Sequence, residues 1–278
     1  MQEKKRVGFI GAGVMAEALL KGFLAAGHVT PSRLIASDSL SERLAYLAET
    51  YDIKVCSKNY ELVRDSDIIF ITVKPGDVGA VLKEIAPELT DKKLIISVAA
   101  GITTARIMEA LKGAGLKRLV PVIRAMPNTP VTVGEGATAL SAGPGAGLGD
   151  IEVAKRFFNT VGLTLFMEDE SLMDAVTALS GSGPAYVFFI IEALVEAGTG
   201  LGIPADKAMA LAVQTTLGAA KLAAVSGVEL AELRKRVTSP GGTTEKGLKV
   251  FEESGLRDII IKAVESAQKR SKELSGAP

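Results

Sequence analysis

The sequence predicts an α/β fold: a doubly wound parallel sheet over residues 1–167, followed by an all-helical dimerisation domain over residues 168–278. Three observations carry this. Short apolar runs alternate with helical patterns up to Met167. A glycine-rich turn joins the first strand to the first helix. Beyond Met167 the strand signals stop and only helical periodicity continues. A chain of 278 residues exceeds the usual size of one domain, which agrees with this division.

Taken in order, RVGFI (6–10), RLIAS (33–37), IKVC (53–56), DIIFITV (67–73), KLIISVA (93–99) and LVPVIRAM (119–126) read as buried strands. Several carry Ile and Val at successive positions, as parallel strands covered on both faces require. MAEALLKGFLAAG and SERLAYLAETY, between the first three strands, have helical spacing, so the units are right-handed strand–helix–strand crossovers. LSAGPGAGLGD (140–150) reads as a loop, and TLFM (164–167) gives the last strand signal. The helical half then begins, with Pro184 and Pro204 expected at first helical positions. VFFIIEALV (187–195) is apolar nearly all round and should be buried on every side, which predicts an obligate dimer.

Composition excludes several functions. Lys plus Arg equals Asp plus Glu at 32 each, and Trp is absent, so neither a global basic field nor an aromatic platform points to nucleic acid. One cysteine, Cys56, allows no internal disulfide. The single histidine, His28, has no Cys/His cluster around it, so no metal site is expected and His28 reads as a loop residue. No signal peptide or membrane-spanning run is read, and the cytoplasm is the expected location.

GFIGAGVMAEAL contains Gly11-x-Gly13-x-x-Ala16 directly after a strand and at the start of a helix. Gly11 permits the tight turn, Gly13 lets backbone approach a pyrophosphate, and Ala16 permits close helix–sheet packing; this makes the sheet Rossmann-type. The helix start supplies N–H groups and a positive dipole to the anion. Asp38, at the end of the second strand, occupies the ribose-reading region and favours the 2′-hydroxyl of NAD, while Ser37, Ser39 and Arg43 lie close enough in sequence to receive a 2′-phosphate; helix capping by Asp38 is an equal alternative. TVKPGD (72–77) and SVAAGI (97–102) end the fourth and fifth strands on the edge where ligands bind, and IRAMPNTP (123–130) closes the next with a stiff polar turn at Asn128 and Thr129.

Together, GFIGAGVMAEAL, VKP, SVAAGI, RAMPNTP, LSGSGPAYVF and SPGGTT resemble the pyrroline-5-carboxylate reductase family, in order and spacing from about residue 6 to 272. RAMPNTP, SGSGPAY and SPGGTT are the specific blocks; the dinucleotide fingerprint alone is shared with many reductases. The resemblance implies NADPH- or NADH-dependent reduction of a small cyclic imine, an active site at a dimer interface, and a ring of dimers. It implies cofactor contacts at Gly11, Ala12, Gly13, Val14, Met15 and Ala16, at Ser37 and Asp38, at Asn59, at Thr72, Val73, Lys74 and Pro75, at Ala99, Ala100 and Gly101, and at Arg236. An acid at Asp38 departs from the small hydroxyl residue of NADPH-favouring members and leaves cofactor preference open. For the substrate the resemblance points to Glu170, Ser239, Gly241, Gly242, Thr243 and Thr244, although Glu170 is equally readable as a dipole complement for the helix that follows it.

The chemistry fits these residue types. A carboxylated ring with a C=N bond needs a hydride donor, a hydrogen bond at nitrogen and an anchor for its carboxylate. Gly241–Gly242 backbone, Ser239 and Thr243 suit the carboxylate, and Thr244 suits the nitrogen. Imines are basic enough to be substantially protonated near neutral pH, so the lack of a placed histidine is no obstacle. A 3-hydroxyacid or other imine reductase of this plan would carry a lysine or aspartate where this chain has SGSGPAY; a non-catalytic nucleotide sensor would keep GAGVMA but need not keep SPGGTT.

Overall fold

The structure is a computed structural model and describes residues 5–276. It divides into two compact units: one comprises the chain up to Gly181 together with the residues from Ala267 onward, the other Ser182–Ser266. The first unit therefore extends past the expected boundary at Met167 and reclaims the end of the chain. The reason is packing: Glu170, Met173 and Asp174 engage the sheet unit, and so does the last stretch of the final helix.

The first unit is built on one eight-stranded sheet of order β3-β2-β1-β4-β5-β6-β7-β8. Its strands are β1 (Val7–Ile10), β2 (Leu34–Ser37), β3 (Lys54–Cys56), β4 (Ile68–Ile71), β5 (Leu94–Ser97), β6 (Val122–Met126), β7 (Gly136–Ala142) and β8 (Gly162–Phe166). All neighbours are parallel except β6 and β7, which run antiparallel with Ala125 opposite Leu140. The order turns outward in both directions from β1 and β4, which places the switch point at the glycine loop after β1.

Helices α1 (Val14–Ala25), α2 (Ser41–Tyr51), α3 (Asn59–Asp65), α4 (Val78–Ile85), α5 (Thr104–Gly113) and α6 (Leu148–Phe158) flank the sheet. Side chains alternate across a strand, so neighbouring residues feed two separate cores. Phe9 and Phe70 belong to one, where their rings stack with centroids 4.9 Å apart beside Phe23, Phe157 and Phe158. Ile10, Ile69 and Ile71 belong to the other, with Leu62, Leu82 and Ile107. His28 lies in the turn after α1, its ring edge-on to Phe157 at 5.9 Å.

The strand β7 falls partly within the stretch expected to be loop, which begins only after Ala142. Beyond β8, a 3₁₀ turn at Glu170–Leu172, α7 (Met173–Val176) and a π-helical turn at Thr177–Gly181 lead into α8 (Gly183–Gly200). Pro184 is the second residue of α8, one past the first helical position expected for it. Pro204 instead caps α9 (Ala205–Val225), one residue before the helix. Then follow α10 (Leu230–Arg236), α11 (Thr243–Glu253) and α12 (Leu256–Ser275).

In the second unit VFFIIEALV is left uncovered by the single chain, as a helix expected to finish its burial against another subunit would be. Phe188 and Phe189 of α8 are 59% and 71% exposed, and α9 leaves Leu211, Leu217 and Leu222 exposed. Although no membrane-spanning run was expected, Glu170–Gly200 and Ala205–Val225 are long and apolar enough to cross a bilayer by length and composition alone.

Candidate active site

The glycine loop is built by β1, β2 and β4 acting together. Gly11 takes φ +94° and donates its N–H to Ser37 O at 2.8 Å. A Cβ at Gly11 would lie 2.8 Å from Val73 and 2.9 Å from the Thr72 backbone, so only glycine fits. Thr72 fixes the loop from the other side, its hydroxyl donating to Gly11 O at 2.7 Å and Ile10 O at 2.9 Å. A Cβ at Gly13 would meet nothing within 4 Å, so the loop is open on the side that leads into α1. Ala12 and Ala16 are buried against the sheet and Met15 packs on the core, while Val14 is exposed beside the helix start. This closed underside and open upper side, at a helix N-terminus, fit a dinucleotide pyrophosphate.

At the end of β2, Asp38 Oδ2 accepts from Ala12 N at 2.7 Å and Oδ1 accepts from Leu40 N at 2.9 Å. Ser37 is buried and its hydroxyl donates to Asn59 Oδ1 at 2.8 Å. Asn59 in turn donates to Glu84 from both its backbone N and its side chain, at 2.9 and 2.7 Å. Ser37 and Asn59 therefore serve to fix the ends of β2 and α3. Lys74 and Pro75 are exposed after β4, and Ala99, Ala100 and Gly101 follow β5, with Gly101 at φ +71°. These loops share one edge of the sheet, the carboxyl ends of its parallel strands.

Glu170 opens the 3₁₀ turn Glu170–Leu172, and its carboxylate reaches across to the start of α5. Its Oε1 accepts from Thr104 N at 2.9 Å and from Arg124 Nη1 at 3.2 Å, and its Oε2 accepts from the Thr104 hydroxyl at 2.5 Å. It thus satisfies the first N–H of α5, a helix whose N-cap is Thr103 and which begins just after the Ala99–Gly101 loop. Arg124 is 2% exposed, and its Nη2 has no hydrogen-bond partner among the described residues. Composition and spacing gave no signal for Arg124, because it reads as one residue of a buried strand. The same unit joins RAMPNTP to SGSGPAY: Asn128 accepts from Ala137 N at 2.9 Å and donates to Ser180 O at 3.2 Å. A Cβ at Gly181 would lie 2.6 Å from Met126 Cε.

The second unit carries SPGGTT between α10 and α11. Gly241 takes φ +72°, Gly242 caps α11, and Thr243 and Thr244 are its first two residues. Contrary to the expectation that they are open to a carboxylate, both glycine N–H groups are taken. Gly241 N donates to Glu245 Oε2 at 2.8 Å, and Gly242 N donates to Ser239 O at 2.9 Å. The anion-binding capacity of this turn therefore rests on the first-turn N–H groups of α11 and on the Ser239, Thr243 and Thr244 hydroxyls. Arg236, at the end of α10, pairs with Glu232 at 3.2 Å.

Comparison with known proteins accounts for both units. Residues 6–101 match the family description "NADP oxidoreductase coenzyme F420-dependent", and residues 170–274 match "Pyrroline-5-carboxylate reductase dimerisation". The second match explains the exposed apolar faces of α8 and α9 as surfaces for oligomerisation. Pyrroline-5-carboxylate reductase of Pseudomonas aeruginosa is 43% identical, with 97% of each chain covered. A solved pyrroline-5-carboxylate reductase from Coxiella burnetii superposes with a TM-score of 0.90 at 37% identity, covering 98% of each chain. A pyrroline carboxylate reductase from Plasmodium falciparum, solved with NADP bound, gives 0.88 at 31% identity, covering 99% of this chain and 100% of that one. With two units of the right kind and relatives matched over nearly its whole length, the chain belongs to the pyrroline-5-carboxylate reductase family.

Proposed function

We propose that the chain reduces 1-pyrroline-5-carboxylate to L-proline with NADPH or NADH, the last step of proline biosynthesis. The observation that carries this reading is the SPGGTT turn at the start of α11, which pairs hydroxyl groups with a helix N-terminus and brings no acid/base histidine or lysine of its own. That suits an anionic imine that already carries its proton, and it suits a hydroxyacid poorly.

On this reading Gly11–Ala16 hold the pyrophosphate and Asp38 the adenosine ribose. Thr72–Pro75 and Ala99–Gly101 border the nicotinamide end, and Ser37, Asn59 and Arg236 support the site. When bound, the dihydronicotinamide supplies a hydride to the C=N carbon. The chain's residues do the rest. Ser239, Thr243 and the first N–H groups of α11 hold the carboxylate, and the Gly241–Gly242 turn sets their positions. The Thr244 hydroxyl oxygen accepts a hydrogen bond from the protonated ring nitrogen and orients it. Glu170 acts through Thr104, setting where α5 and the loop before it begin.

The dimerisation segment builds a homodimer, and we extend this to a ring of dimers, with the cytoplasm as the location. The test is cofactor oxidation followed on adding pyrroline-5-carboxylate to purified protein with NADPH or NADH. Turnover is expected with at least one cofactor. No turnover with either, or equal turnover of a 3-hydroxyacid in the reverse direction, would overturn the reading.

A further inference from the structure

Glu17 is a half-buried acid in the first turn of α1, where a carboxylate next to a pyrophosphate site is unfavourable unless it is paired. It is paired three times. Its Oε2 accepts from Arg43 Nη2, and its Oε1 accepts from the Tyr46 hydroxyl at 3.0 Å and the Tyr51 hydroxyl at 2.8 Å. Arg43 is held further by its Nε, which donates to Ala12 O at 2.5 Å, and its guanidinium lies over the Tyr46 ring at 4.9 Å. Arg43 is the one basic residue of α2, the helix that follows the ribose-reading end of β2. Arginine is the side chain best suited to a 2′-phosphate, by its forked donors and permanent charge. Here that charge is already matched, while the neighbouring Asp38 carboxylate stays fixed on Ala12 N.

We propose that Glu17 is a specificity-determining residue: by binding Arg43 it leaves a 2′-phosphate facing Asp38 without a free guanidinium, so the chain favours NADH over NADPH. A 2′-hydroxyl, in contrast, donates to Asp38 at no electrostatic cost. The inference rests on the reading that the Gly11–Ala16 loop and Asp38 hold the dinucleotide.

The test is equilibrium calorimetry with NAD⁺ and NADP⁺ in the absence of imine. Wild-type protein should bind NAD⁺ more tightly; tighter NADP⁺ binding would overturn the proposal whatever the variants do. Glu17→Gln keeps an acceptor for the tyrosines and removes the charge, and its folding is checked by its thermal midpoint. It should tighten NADP⁺ binding about tenfold at low salt and change NAD⁺ binding less than about twofold. The gain should vanish when Arg43→Met is added. An equal change for both cofactors, or none for NADP⁺, would refute the role of Glu17. Asp38→Ser separates the two levels: if it shifts the NADP⁺/NAD⁺ ratio and Glu17→Gln does not, the Glu17 proposal alone fails. If neither shifts it, the ribose pocket itself is misplaced.

Discussion

Removing the Glu170 carboxylate would strand a buried cation. Arg124 is 2% exposed, one of its terminal nitrogens already lacks a hydrogen-bond partner among the described residues, and the other bonds to Glu170 at 3.2 Å. Breaking a fully buried pair from one side costs about 3–5 kcal/mol. Glu170 is 24% exposed, so water can follow the vacated side chain and reduce that to about 2 kcal/mol. The loss of the bond to Thr104 N at the start of α5 adds about 1 kcal/mol. Glu170→Ala should therefore lower unfolding free energy by about 3 kcal/mol, roughly a 1 M fall in urea midpoint for a slope of about 3 kcal/mol/M. Urea melts at one fixed protein concentration, followed by circular dichroism, measure it. Glu170→Gln combined with Arg124→Met leaves no stranded charge and should recover at least half of the loss. A loss below about 0.5 kcal/mol for Glu170→Ala, or a double variant worse than the single, would refute the clamp.

Three further outcomes are expected. Thr244→Ala should lower kcat about 10–1000-fold in steady-state assays, as loss of a hydrogen bond made in the transition state does, whereas an unchanged kcat/KM would reduce Thr244 to a helix-start residue. Phe189→Asp, on the exposed face of α8, should weaken self-association by at least about 100-fold in sedimentation equilibrium, since burying one phenyl contributes about 2–3 kcal/mol per subunit; an unchanged mass would remove α8 from the interface. The Glu17 carboxyl is pushed up by burial but more strongly held down by bonds from Arg43, Tyr51 and Tyr46, and lies below the ordinary 4.5. A depressed folded value means stability present above the unfolded value and lost as pH falls through the folded one, so Glu17→Gln should flatten the acid limb of stability; an unaltered limb would count against the pairing.

The sheet was legible where both faces are buried. IIFI is apolar at every position and LIIS at its first three because both cores need them, and the strands sit where the runs do. GATALSA, in β7, was not legible: small residues and threonine give no apolar run, and its pairing with β6 is antiparallel and long-range. The glycine fingerprint was readable because Gly11 and Gly13 answer local steric demands. The Glu170–Arg124–Thr104 clamp was not, since its members are separated by up to 66 positions and meet only through the tertiary fold. The state of the Gly241 and Gly242 N–H groups also lay beyond sequence, because the first depends on Glu245 turning back along its own helix and the second on the Ser239 carbonyl closing the turn. Burial of α8 was read from its composition, but the single chain leaves it exposed, and oligomerisation supplies the difference.

The central claim is hydride transfer to a cyclic imine, and an isotope reports it directly. The protein is incubated with pyrroline-5-carboxylate and, in parallel samples, NADH or NADPH dideuterated at the nicotinamide C4, and the proline formed with either is weighed by mass spectrometry. The account predicts proline heavier by one deuterium, carried on the ring carbon that was doubly bonded to nitrogen. Unlabelled proline, or no proline while the imine is intact, would contradict it.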